Sequence, residues 1–192
     1  MFTEKNFDHL LGLPGFSDQM LKNHLTLYRG YVNNSNKLWE ELNKMSGNNQ
    51  EEGPAFNEIT RRFGWEFNGM RLHELYFDNL SSKNLLLDQS SLLTKKIIQQ
   101  FGSLDTWKKQ FCNTGLIRGI GWVILYYDQQ TDHLFNTWID EHNTGLLTGA
   151  KPLLVMDVFE HAFMLDYGLK RADYIEAFFK NINWPVVAQR IN

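Results

Sequence analysis

Apolar residues recur at helical intervals through the first third of the chain. Leu21, Leu25, Tyr28, Val32 and Trp39 follow Ser17-Asp18, where a serine can cap the first turn, so a helix carrying His24 is predicted from that point. The run Ser46-Gly-Asn-Asn-Gln-Glu-Glu-Gly-Pro54 reads as a loop. A second helix begins near Ala55 and carries Phe56, Phe63, Phe67, Met70, His73 and Phe77, and together the two segments predict a helical hairpin. Residues 79–91, polar at both ends, link it to a second region in which 93–101 and 104–114 read as helices. Beyond Gly121 the pattern changes. Residues 122–127 are apolar and β-branched, Asp128-Gln-Gln-Thr-Asp132 is a turn, and 134–139 alternates in part, which predicts a β-hairpin. A third strand is predicted over 152–159 and a helix over 172–182, with no internal repeat and no low-complexity tract. The expected class is α+β. An N-terminal helical hairpin domain takes residues 1–85, and a C-terminal domain of helices over a three-stranded antiparallel sheet takes 86–192.

Composition adds limits. With 192 residues, 43% of them hydrophobic, the chain can bury a sizeable core. A formal charge of −3 gives no bulk attraction to nucleic acid or anionic lipid, so neither is an expected partner. The opening Met-Phe-Thr-Glu-Lys-Asn-Phe-Asp-His has no cationic start followed by an apolar stretch, and no uncharged apolar run reaches membrane-spanning length; a cytoplasmic protein is expected. Cys112 is the only cysteine, which excludes an internal disulfide, and its neighbours Phe111 and Asn113 offer no activating base. It reads as a small packed side chain.

The chemistry is concentrated late in the chain. Asp157-Val-Phe-Glu160-His161 closes an apolar run, and a strand that turns sharply after Asp157 would bring an oxygen and a nitrogen to one point. A carboxylate and a histidine four apart are common in any globular protein, so the spacing alone does not define a site. His24 and His73 would complete three imidazoles and one carboxylate, a ligand mixture that iron and manganese accept.

The flanking residues are more specific. Asp157-Val-Phe-Glu160-His161-Ala-Phe163, then Leu165-Asp166-Tyr167, Arg171-Ala-Asp173-Tyr174 and Ile182-Asn183-Trp184, resemble the C-terminal signature of iron/manganese superoxide dismutases. Gly119-Ile-Gly121-Trp122, Gly102-Ser103-Leu-Asp-Thr-Trp107-Lys-Lys-Gln-Phe111, His73-Glu-Leu-Tyr-Phe-Asp-Asn-Leu80 and Arg29-Gly-Tyr31-Val32 extend the resemblance backward over nearly the whole chain. It implies dismutation of superoxide to oxygen and hydrogen peroxide, with one iron or manganese ion per chain between the two domains and no organic cofactor. The implied ligands are His24, His73, Asp157 and His161; His9 and His133 match no ligand position. Such an ion needs a potential between the two superoxide couples, and hydrogen bonds to the solvent on it tune that potential. In the family that bond comes from a glutamine, at a position that is Gly69 here or at one that counts back from Asp157 to His142. His142 is therefore the expected solvent partner.

Arg171 matches the arginine that draws superoxide inward, and Tyr31 matches a gateway tyrosine. Glu160 matches a residue that reaches the ligand histidine of a second subunit, which implies a homodimer through Glu160 and Phe163. The chain also departs from the pattern. His24-Leu-Thr-Leu-Tyr28-Arg-Gly-Tyr31-Val32 is one residue shorter than the family's segment and lacks its gateway histidine, whose place falls near Leu27 or Tyr28. The tyrosine that would bond that histidine across the interface is Phe163, so both partners of one hydrogen bond are absent together. Phe77 and Phe159 stand where relatives often carry tryptophan. The alternative function is a metal-holding structural or interaction protein with degraded catalysis; an iron oxygenase would need an organic-substrate pocket for which no motif is present. Gly69 with a solvent partner at 142 resembles the manganese-type members, while histidine in that role and Val155 lean the metal toward iron.

Overall fold

A computed structural model describes residues 1–191. Helix α1 (Asp18–Gly47) starts where Ser17 Oγ accepts a hydrogen bond from the Met20 amide at 3.1 Å, the capping contact that its sequence anticipates. Its buried face, Met20, Leu21, His24, Leu25, Tyr28 and Val32, ends at Ser35, and beyond that point the helix projects as one arm of the hairpin. Trp39, predicted on the buried face, is 47% exposed and touches Phe63 with ring centroids 5.7 Å apart. The apolar period continues past the core, and solvent covers its end. Helix α2 (Pro54–Asp78) opens with proline in its first turn, where the missing N–H costs nothing, and returns antiparallel to α1.

Two serine caps begin the next helices, Ser91 for α3 (Leu92–Phe101) and Ser103 for α4 (Leu104–Gly115). Strands β1 (Gly121–Asp128), β2 (His133–Asp140) and β3 (Lys151–Asp157) form an antiparallel sheet in the order β2-β1-β3. The central strand is buried at every position except Asp128, which accounts for its unbroken apolar run. Register places Trp122 opposite both Ile139 and Asp157, so the first residues of β1 lie beside the end of β3. Gly121 is required there: φ is +146°, and a Cβ would fall 1.9 Å from the Ile139 carbonyl oxygen.

The third strand ends at Asp157, two residues before the predicted end. Asp157 Oδ1 accepts from the Phe159 amide at 2.8 Å, a local bond that replaces the ladder and turns the chain into the 3₁₀ segment Glu160–Ala162. Helices α5 (Met164–Tyr167), α6 (Arg171–Lys180) and α7 (Trp184–Gln189) complete the fold. The sixth ends two residues before the predicted end, where Asn181 Nδ2 donates to the Ala177 and Pro14 carbonyls, both at 2.8 Å. The seventh spans six residues, too few for a periodic signal.

The segment after α2 is tied firmly to the sheet. Asn79 Nδ2 donates to the Val155 carbonyl at 2.7 Å, and the Asn79 carbonyl accepts from the Asn183 amide at 2.6 Å. Arg190 bonds the Asn79 side chain, the Leu153 carbonyl at 2.7 Å and the Leu75 carbonyl at 3.3 Å. The guanidinium thus joins α2 to β3 and keeps His73 and Asp157 facing each other. Among the described residues no helix is long and apolar enough to cross a membrane.

Candidate metal centre

His24 is delivered by α1, His73 by α2, and Asp157 and His161 by the end of β3 and the turn beyond it. One candidate ligand atom from each lies within 4.8 Å of all the others. The Nε2 atoms of His24 and His161 are each 3.1 Å from Asp157 Oδ2, and that of His73 is 3.7 Å away. His73 Nδ1 donates to the Gly69 carbonyl at 2.6 Å, so its Nε2 keeps a lone pair; this nitrogen is fully buried and has no hydrogen-bond partner among the described residues. A lone pair facing a carboxylate oxygen is unfavourable unless a cation lies between them. The donor set therefore fits one metal ion.

The electrostatics agree. Burial is the largest influence on Asp157 and favours its neutral form, but the His161 charge and the hydrogen bonds from His161 and His24 outweigh it and hold the carboxyl well below the usual carboxylate range. Burial lowers His24, and it lowers His73 further, with the neighbouring His24 acting in the same direction. For His161 burial also acts downward, yet the Asp157 charge and hydrogen bond prevail and raise it. A buried carboxylate ringed by imidazoles is a hard-to-borderline cation site. Its walls are aromatic: Phe77 lies 4.9 Å from the His24 ring, Trp122 and Tyr31 each 4.9 Å from His73, and Phe159 5.2 Å from His161.

His142 joins this wall from the turn after β2. Its Nδ1 accepts from Trp122 Nε1 at 3.0 Å, and its Nε2 lies 2.7 Å from Tyr31 Oη. Burial lowers its pKa to about 4. Tyr31, also buried, has its hydroxyl pKa raised above the ordinary tyrosine value. Gly69 is explained by this pair: a Cβ there would stand 2.6 Å from Tyr31 Cδ1 and 3.2 Å from His142 Cδ2, so no glutamine fits where these two rings meet.

Sequence reasoning missed Trp65. Its ring lies 4.4 Å from His142 and 5.7 Å from Tyr31, and its Nε1 donates to Glu141 at 2.8 Å. Trp65, Gly69 and His73 are spaced by four on α2, a periodicity that would have placed all of them on one face. Arg171 donates to the carbonyls of Ile117 at 2.8 Å and Gly119 at 2.9 Å, and lies over the Phe163 ring. Phe163 is 4% exposed within its own chain, stacked on Tyr174, so little of it is left to form a contact with a second subunit. Glu160 is exposed, and its side chain makes no hydrogen bond among the described residues. His9 and His133 are exposed and lie outside the cluster.

A helical hairpin packed on a three-stranded antiparallel sheet, with three imidazoles and a carboxylate converging between them, defines a mononuclear metalloprotein. Residues 89–190 match the family described as iron/manganese superoxide dismutases, C-terminal domain. The chain is 37% identical over 190 residues to a superoxide dismutase [Fe] of Aquifex aeolicus, covering 95% of this chain and 88% of that protein. It is 34% identical over 180 residues to superoxide dismutase [Mn] 2 of Haloferax volcanii, covering 92% and 87%. A superoxide dismutase [Fe] of Saccharolobus solfataricus is 32% identical over 167 residues, covering 85% and 79%. The chain belongs to the iron/manganese superoxide dismutase family.

Proposed function

We propose that His24, His73, Asp157 and His161 hold one ion and that the chain converts two superoxide anions and two protons to oxygen and hydrogen peroxide there. The observation that carries the site is the buried, unpartnered His73 Nε2 aimed with two other imidazole nitrogens at one Asp157 oxygen. The ion would supply a reversible one-electron couple. The protein's residues do the rest. Asp157 and the imidazoles fix position and charge, and the rings of Phe77, Trp122 and Phe159 exclude bulk water. Both ring nitrogens of His142 are engaged, one by Trp122 and one by Tyr31. It is therefore the Tyr31 hydroxyl that presents a hydrogen bond toward the solvent beside the ligands, and His142 acts on the redox poise through it. Arg171, a cation near the turn that carries His161, attracts the anion despite the net negative charge. A cytoplasmic setting belongs to the same proposal and is consistent with the lone free thiol of Cys112.

We take the ion to be iron, on the grounds of histidine at 142 and Val155. Protein stripped of metal and reloaded with each ion separately is expected to dismutate superoxide with iron, and less with manganese. Equal or greater activity with manganese would reverse the assignment. A second reading, a metal-holding protein with degraded catalysis, is favoured by one observation: Tyr28, near the place of the missing gateway histidine, bonds Glu74 at 3.2 Å and the Lys5 amide at 2.9 Å. Its hydroxyl is thereby committed away from the ligands. Inactivity with both ions at full occupancy would establish that reading.

Association into a two-fold dimer belongs to the same proposal. The Glu160 side chain sits next to a ligand histidine without a hydrogen bond among the described residues, on a surface it shares with Ile120, Met164 and Leu169, all three exposed. Light scattering at micromolar concentration is expected to report a dimer, and Leu169→Glu to yield monomers. A fully active wild-type monomer would contradict it.

A further inference from the structure

The sheet has two edges, and a bare strand edge is a template for pairing with another chain. On β3 the outward carbonyls are taken up one after another by side chains: Leu153 by Arg190 at 2.7 Å, Val155 by Asn79 at 2.7 Å and Asp157 by Tyr174 at 2.6 Å. On β2 the outward residues are 134, 136, 138 and 140, the alternate positions that bond away from β1. Asp140 exchanges both backbone bonds with Thr144, at 2.9 and 3.2 Å, and Gly145 comes so close to Trp138 that a Cβ would stand 2.9 Å from its carbonyl oxygen. The other end of β2 is closed differently.

One side chain of α3 closes it. Gln100 Oε1 accepts from the Leu134 amide at 2.7 Å, and Gln100 Nε2 donates to the Leu134 carbonyl, so one carboxamide fills both groups as a neighbouring strand would. Gln100 is exposed and lies outside the apolar core, so core packing does not account for it. Lys96, one turn earlier on the same face of α3, bonds Asp132 in the turn between β1 and β2 and fixes the helix along the edge. Beside this cap the strand carries an apolar side chain in solvent: Phe135 is 42% exposed and stacks on His133 with centroids 6.4 Å apart. With Gln100 in place, the uncapped stretch among the described residues is confined to 136–138. Without it the stretch lengthens to 134–138, about the five residues of an ordinary strand.

We propose that Gln100 is a guard on the β2 edge, and that the surface it denies is a pairing site for β2 of a second copy of this chain. A second copy is the occupant that fits, because in an antiparallel two-fold pair the same bare stretch faces itself and the two Phe135 rings cover one another. This association is separate from the two-fold contact at Glu160. The test follows wild-type protein, Gln100→Ala, Gln100→Met and the double variant Gln100→Ala/Phe135→Lys by light scattering, incubated at a temperature at which circular dichroism shows each still folded. Methionine keeps the length of the side chain and removes both bonds. Wild-type protein is expected to hold its starting size, and both single variants to grow severalfold in mass, faster at higher protein concentration. The lysine should return the double variant to wild-type behaviour, because it sets like charges against each other across the pairing. Single variants that hold the wild-type size would overturn the proposal. So would a double variant that associates as fast as Gln100→Ala, since the contact would then lie elsewhere. If Gln100→Ala does not fold, Gln100→Met and Gln100→Met/Phe135→Lys decide it by the same comparison.

Discussion

Replacing His161 by alanine is expected to abolish retention of iron or manganese and all metal-dependent consumption of superoxide, while leaving the chain folded. The imidazole supplies one of three nitrogens around Asp157 Oδ2, at 3.1 Å, and among the described residues no other candidate ligand joins the cluster. Of the three histidines it is the most accessible: its side chain is 23% exposed, against 2% for His24 and 0% for His73. Truncation therefore opens a solvent-accessible hole and does not create a sealed void in the core. The core is a contiguous apolar cluster running from Phe7 to Ile191, and it does not depend on the ion for cohesion. The check is metal content by mass spectrometry with circular dichroism on the same samples. A His161→Ala variant that holds one ion per chain would show that the ligand set is wrong, and one that is unfolded would show that the site is needed for the fold.

His142→Ala should have a different signature. No ligand is removed, so the metal is expected to stay at wild-type occupancy. Trp122 Nε1 and Tyr31 Oη both lose their partner at 142, and activity is expected to fall roughly 10- to 100-fold, the range for outer partners of a metal site. His142→Gln should restore part of that loss, because one amide oxygen can accept from Trp122 and the amide nitrogen can donate to Tyr31. Steady-state dismutation rates at equal metal content, together with the midpoint potential of the bound ion, measure both effects. Unchanged turnover and potential in His142→Ala would reduce His142 to an ordinary turn residue.

The sequence disclosed the parts of this molecule that periodicity and motif record. The faces of α1 and α2 follow from apolar spacing, and the cap at Ser17 from residue type. The candidate ligands were legible through their flanking motifs, because each stands at a fixed offset from recognisable neighbours. What escaped depends on contacts distant in sequence. Trp65 meets His142 across 77 positions, and Tyr31 meets it across 111. The early end of β3 depends on one side-chain bond from Asp157 to the Phe159 amide, which no hydrophobic pattern encodes. The shape of the chain also explains an oddity of composition: Gly69 lacks a side chain because Tyr31 and His142 already fill its space.

Anomalous diffraction from crystals of metal-loaded protein, recorded at the absorption edge of the bound ion, tests the central claim most directly. A single peak is expected among the Nε2 atoms of His24, His73 and His161 and Oδ2 of Asp157, within coordination distance of all four. A peak elsewhere, or one that leaves any of these side chains out of contact with the ion, would contradict it.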